Sequence, residues 1–146
     1  MKKFCFRLQK LLDLEAQREE QGKMQLQSLV NNLQGNEMVL NHLQITLRQN
    51  QDNLTGKRLK SLDVQKLTIF QNYVSALNTK IEFQERQVNS IAQEVEKKRK
   101  DLVDIKKNRK VLEKLRIKDK AVYASTSSRS EIKRLDDISR YMRYLD

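Results

Sequence analysis

Few residues in this chain are of types that do covalent chemistry. There is one histidine, His42, and one cysteine, Cys5, so neither a Cys/His metal cluster nor a Ser, His and Asp set can be assembled. No Gly-rich phosphate loop is present among the three glycines. His42 stands between Leu40 and Leu43 on a helix flank, the place of a solvated side chain. The acidic pairs Glu19–Glu20 and Asp136–Asp137 read as solvated helix charges, since catalytic carboxylates need an enclosed setting to separate their pKa values. These residues predict a non-enzyme with no cofactor and no metal. With one cysteine no intrachain disulfide can form.

The chemistry on offer is charge. Between Lys97 and Lys120 twelve Lys and Arg face only Asp101, Asp104, Glu113 and Asp119, and they dominate a net charge of +11. Such a block sets up a strong positive field suited to an acidic protein, a phosphate backbone or an anionic membrane surface, or else forms the solvated flank of a coiled coil. No proline, no tryptophan and 34% charged residues describe long helices with a thin apolar stripe. No pocket-forming core is expected.

The elements that carry these charges are legible from spacing. From Phe70 apolar residues recur at alternating gaps of four and three through Val74, Leu77, Ile81, Gln84, Val88, Ile91, Val95, Lys98, Leu102, Ile105 and Arg109 to Leu112. Ten of these thirteen positions are apolar, the seam of a coiled coil. An earlier seam runs Leu26, Leu29, Leu33, Asn36, Leu40, Leu43, Leu47, Asn50, Leu54, with seven leucines in nine positions. Upstream, Phe4, Leu8, Leu11 and Leu12 open an amphipathic helix widened by Phe6 and Leu14, followed by a polar segment from Glu15 to Lys23 with a soft point at Gly22.

Thr55 and Gly56 interrupt the periodicity, Ser61 is placed to cap a following helix, and Leu54, Leu59 and Leu62 are placed to close an apolar turn. The expectation is an all-α fold, a long antiparallel two-helix coiled-coil hairpin with a C-terminal helical extension. Its single domain, 1–146, would hold helix 1 over about 4–54, a turn over about 55–61, helix 2 over about 62–122 and a weaker helical tail over 123–145. A reversal centred between residues 58 and 60 sets Asn36 across from Gln84, so each buried amide meets its own kind and fixes the register. Lys98 and Arg109 face a less apolar stretch of helix 1, and two arrangements are open to them: pairing with Glu15 and Glu19, or heads in water over aliphatic stems.

Ala121 to Ser130 is Ser- and Thr-rich and a weak helix former. Beyond it Ile132, Leu135, Ile138, Met142 and Leu145 resume helical spacing beside Tyr141 and Tyr144. In the expected register helix 1 is too short to cover this tail, which suggests a docking element. The basic opening is broken by Arg7, Lys10 and Asp13 and lacks a signal-peptide core, and no apolar run is long enough to span a membrane. A soluble cytoplasmic protein is the default expectation. Three binding roles come into view: a nucleic-acid binder, for which no basic zipper, zinc finger or aromatic-studded sheet is present; a helix on an anionic membrane, whose apolar face is already committed to a coil partner; and a stalk within a larger protein assembly, with a generic coiled-coil scaffold as its plainer form, which alone accounts for the hairpin, the basic length and the uncovered tail together.

The opening KKFCFRLQKLLDLEAQREEQGK resembles the F-x-F-R-L-x-K-L-L-D-L start common in flagellar type III export proteins of the FliJ type. IFQNYVSALNTKI resembles that family's Y-x-x-F-I-x-x-L-x-x-x-I segment, and VEKKRKDLVDIKKNRKVLEKLRIKDKAVY with SRSEIKRLDDIS resembles its C-terminal half. The resemblance covers nearly the whole length. It implies a coiled coil like the gamma-subunit stalk of rotary ATPases, non-enzymatic, that binds the hexameric export ATPase and the export gate and helps couple energy to export. It also implies contact with export chaperones and a cytoplasmic location, peripheral at the inner membrane through the export apparatus. ATPase binding would fall to Phe4, Phe6, Leu8, Leu11 and Leu12 with Arg129, Ile132, Lys133 and Leu135. Gate binding would fall to Leu43, Tyr73, Leu77, Lys80 and Gln84, although Leu77 and Gln84 also belong to the seam. The sequence departs from some relatives at Thr46 and Asn50, where they carry tyrosine.

Overall fold

A computed structural model describes residues 2–57 and 63–145. Two helices, α1 (Gln9–Lys57) and α2 (Val64–Arg143), account for nearly all of them and pack against each other as an antiparallel hairpin. Among the described residues there is no strand. The helices form because long unbranched side chains fill both segments and proline is absent. The central part of the expected turn, with Leu59, the Ser61 cap and Leu62, lies outside the described residues. Thr55 does not break the helix; its hydroxyl donates back to the carbonyls of Gln51 and Asp52 at 3.0 and 3.1 Å, so the side chain joins the helical ladder.

The chain divides into two compact units, one formed by Gly22–Asp101 and one by Met1–Gln21 with Leu102–Asp146. In the first, all nine positions from Leu26 to Leu54 and all nine from Phe70 to Lys98 in the two seams are buried or half-buried. Leu77, Ile81 and Val95 are the most enclosed. None of the described side chains is enclosed completely, because two helices share only one stripe and its edges stay wet. Asn36 and Gln84 do lie across from one another: Gln84 Nε2 donates to Asn36 Oδ1 at 2.9 Å and to the Asn36 carbonyl at 3.1 Å. Asn36 Nδ2 in turn donates to Oδ1 and the backbone carbonyl of Asn32 at 2.9 and 2.8 Å, so the amide is anchored to its own helix while accepting from the other.

In the second unit the N-terminal segment differs from expectation. Residues 2–6 are not helical, and α1 begins at Gln9, after the Gln9 amide has bonded the Phe6 carbonyl at 3.1 Å. Phe4 and Phe6 point inward while Lys3, Cys5 and Arg7 are exposed, the period of two of an extended chain. Phe6 packs with Leu12 and Leu112 in a small core that Phe4 joins. The Phe4 ring lies 5.5 Å from that of Tyr123 at a tilt of 50°, and the Tyr123 hydroxyl donates to the Lys2 carbonyl. An extended F-x-F reaches across to α2, which a helical turn at the same place would not do.

Glu15 and Glu19 are buried on the seam rather than solvated. Arg109 Nε pairs with the Glu19 carboxylate, and Arg109 Nη1 donates to Glu113 at 2.8 Å. Helical side chains lean toward their own N-terminus, so on antiparallel helices Arg109 and Glu19 lean toward each other. Glu15 is held by Arg18 at 3.2 Å. The Ser- and Thr-rich stretch stays helical, with Thr126 Oγ donating to the Val122 carbonyl and Ser130 Oγ to that of Ser127, both at 2.8 Å. Arg140 and Arg143 close α2 on the favourable end of its dipole.

Candidate docking surfaces

Within the unit 22–101 the structure gathers three of the five expected gate residues. Leu43 from α1 and Lys80 and Gln84 from α2 line one shallow groove, floored by Val39 and the exposed ring of Phe83. The groove exists because Phe83 falls two residues past the seam position Ile81, on the outer shoulder of the coil, and Val39 precedes the seam position Leu40. Phe83 and Val39 were not singled out from the sequence; an apolar residue just off a strict seam was the available signal. Tyr73 lines a second groove with Asn50, Leu54, Ile69 and Phe70, and its side chain is exposed. Leu77, 5% exposed, holds the coil together and presents nothing outward.

The expected ATPase-binding residues, all in the other unit, divide in the same way. Phe6 and Leu12 are core; Phe4 is half-buried; Leu8 and Leu11 are exposed. Arg129, Ile132 and Lys133 share one shallow depression with Thr126 and Ser130, all on α2. Ile132 is 56% and Leu135 65% exposed, and Ile138, Tyr141, Met142, Tyr144 and Leu145 are open beside or beyond them. These apolar side chains at helical spacing are the uncovered stripe expected of a docking element. Tyr123, unremarked in the sequence, links the N-terminal segment to α2 just before this stripe begins.

His42 and Cys5 are exposed, and no group of His, Cys, Asp and Glu among the described residues is arranged to hold a metal ion. Of the two adjacent acids, Glu19 is tied up with Arg109 while Glu20 is solvated, so they do not form a carboxylate pair. What the arrangement offers is shape: shallow apolar grooves edged by cations, suited to helices or loops of another protein. No described helix is long and apolar enough to cross a membrane.

The family model described as Flagellar FliJ protein matches residues 3–144. No curated protein and no solved structure matches the chain. The match spans both units, from the F-x-F segment to the end of α2, and with it the chain belongs to the flagellar FliJ protein family.

Proposed function

We propose that the chain is the coiled-coil stalk of a flagellar export apparatus, binding the hexameric export ATPase with one surface and the export gate with another. Membership of the FliJ family, a family of non-catalytic export components, makes it a flagellar export-related protein; a non-enzymatic role, the two partners and their surfaces are the finer reading. Its chief support is the contrast within the unit of Met1–Gln21 and Leu102–Asp146. Phe6, Leu12 and Leu112 are closed into a core, whereas Ile132 and Leu135 on the same helix as Leu112 are left open. Leaving large apolar side chains in water in a row is costly unless a partner covers them.

The ATPase surface in this reading is Arg129, Ile132, Lys133 and Leu135, with Leu8 and Leu11 as secondary contacts. Phe4, Phe6 and Leu12 support it from within rather than touch the partner. The gate surface is the groove of Leu43, Lys80 and Gln84 floored by Phe83, with Tyr73 as an independent contact. Gln84 serves both the Asn36 register bond and the groove edge. Export chaperones are further partners in this reading, and the apparatus brings the chain to the inner membrane.

The test is capture of the purified export ATPase and of the gate's cytoplasmic domain by the full chain and by a version lacking residues 125–146. The reading expects the shortened chain to lose the ATPase and keep the gate domain. Retention of the ATPase would remove the tail from the interface. Tight, salt-sensitive binding to DNA with neither protein captured would instead make this a nucleic-acid binder.

A further inference from the structure

The basic block is not spread evenly around α2. At about 100° per residue, Lys106, Lys107, Lys110, Lys114 and Lys118 fall within one arc of about 140° outside the seam residues Leu102, Ile105 and Leu112, with Lys106 at the edge of the arc beside Leu102 and the other four turned away from the seam. All five are exposed, and none is in an ion pair among the described residues. The acidic residues Asp104, Glu113 and Asp119 lie outside that arc. Between the lysines the same arc carries Val103, Val111 and Ile117, the last two 57% and 69% exposed. From Val103 to Lys118 the stripe runs about 22 Å along α2, drifting about 40° round the helix with each step of four residues.

We infer that this stripe is a lipid-facing surface, which lays the outer side of α2 on a bilayer rich in anionic headgroups. A seam pointing inward leaves the opposite face free, and here that face has its own apolar residues, so membrane contact does not compete with the coil. Three features select lipid over other polyanions. The stripe is all lysine, a hydrated point charge, and lacks the arginine forks that match carboxylates or phosphates at fixed geometry on a folded partner. Its apolar members are aliphatic, placed to enter the boundary between headgroups and acyl chains, whereas strand-binding proteins use aromatic rings to stack bases. Five long, flexible lysines spread over one side of the helix can bring their ammonium groups down to a flat surface together. Val and Ile insert only shallowly, so binding is reversible and governed by charge.

The experiment is co-sedimentation of the full-length chain with vesicles of phosphatidylcholine alone and of phosphatidylcholine mixed with phosphatidylglycerol. Binding is expected only to the anionic vesicles and to fall as salt is raised. Each lysine near such a surface contributes a factor of about five, so the triple variant Lys107→Gln, Lys110→Gln, Lys114→Gln should bind about a hundredfold more weakly. A triple variant with the same charge loss elsewhere, Arg48→Gln, Lys66→Gln, Arg86→Gln, should bind nearly as wild type. Val111→Ser with Ile117→Ser should weaken vesicle binding while leaving binding to polyglutamate and duplex DNA unchanged. Circular dichroism of each variant checks the helices, which exposed Lys→Gln changes barely perturb. Equal losses from the two triple variants would mean diffuse attraction and overturn the stripe. Binding to polyglutamate or DNA with none to anionic vesicles would overturn the lipid assignment.

Discussion

The Asn36–Gln84 contact is a quantitative test of the hairpin register, because both residues are polar members of the seams and can be altered with every apolar seam residue left in place. Gln84 Nε2 gives one bond to the Asn36 side chain and one to its backbone carbonyl. A net hydrogen bond of this kind stabilises by about 1 kcal/mol, so Gln84→Ala, losing both bonds and some packing, should cost about 2 kcal/mol. Asn36→Ala removes the side-chain acceptor of Gln84 together with the bonds of its own amide to Asn32, and should cost about 1–2 kcal/mol. The backbone bond survives that change, so the coupling in a double-mutant cycle isolates the side-chain bond alone, about 1 kcal/mol. Replacing both residues by leucine should have the opposite sign. Two half-buried leucines contribute about 1 kcal/mol each from apolar area and no polar group is left unmatched, for a gain of about 2 kcal/mol. The loss is in specificity, since a matched polar pair excludes shifted registers. Equilibrium urea unfolding followed by circular dichroism reads all four variants, with constant m-values as the check on two-state behaviour. Additive alanine effects, with coupling below about 0.3 kcal/mol, would refute the cross-helix pairing.

Other positions give equally definite expectations. Gly35 is helical, and a Cβ there meets nothing within 4 Å; Gly35→Ala should therefore raise stability by about 0.5–1 kcal/mol in the same urea assay. Leu77→Ala should cost about 2–3 kcal/mol by emptying a buried seam position, whereas Tyr73→Ala should cost under about 1 kcal/mol and show its effect in gate capture instead. Arg109→Met leaves the buried Glu19 carboxylate without that guanidinium and should destabilise by about 2–3 kcal/mol, with Glu19→Met added on top restoring part of the loss. Tyr123→Phe removes the bond to the Lys2 carbonyl; limited proteolysis should then cut the N-terminal segment faster with the helices unchanged.

The coil itself was legible because a strict gap of four and three has one physical meaning over so many turns. Each residue of the seams from Leu26 to Leu54 and from Phe70 to Leu112 is buried or half-buried, polar members included. Continuing the first seam back from Leu26 by steps of four and three would have reached Gly22, Glu19, Glu15 and Leu12, all buried. That step was obscured by charge: a run of acids reads as solvated until a partner such as Arg109 is placed beside it. The F-x-F segment was ambiguous for a related reason. Phe4, Leu8 and Leu11 fit a helix and Phe4 with Phe6 fits an extended strand, and only packing on Leu112 and Tyr123 decides between them. Ser- and Thr-rich residues 121–130 stay helical because their hydroxyls bond back along the helix, a local rescue that propensity scales do not contain. Grooves such as that of Val39 and Phe83 depend on which off-seam residues of two helices fall side by side, which one sequence does not display until the register is known.

The most direct measurement of the central proposal is the affinity of the purified hexameric export ATPase for the full chain and for the variant Ile132→Asp, Leu135→Asp. Both side chains are exposed, so the variant should keep its helicity and unfolding midpoint. If they are the apolar anchors of the interface, each contributes about 2 kcal/mol and the pair should weaken binding by several hundredfold or more. Unchanged affinity in a folded variant would contradict the account and move the ATPase contact away from the uncovered face of α2.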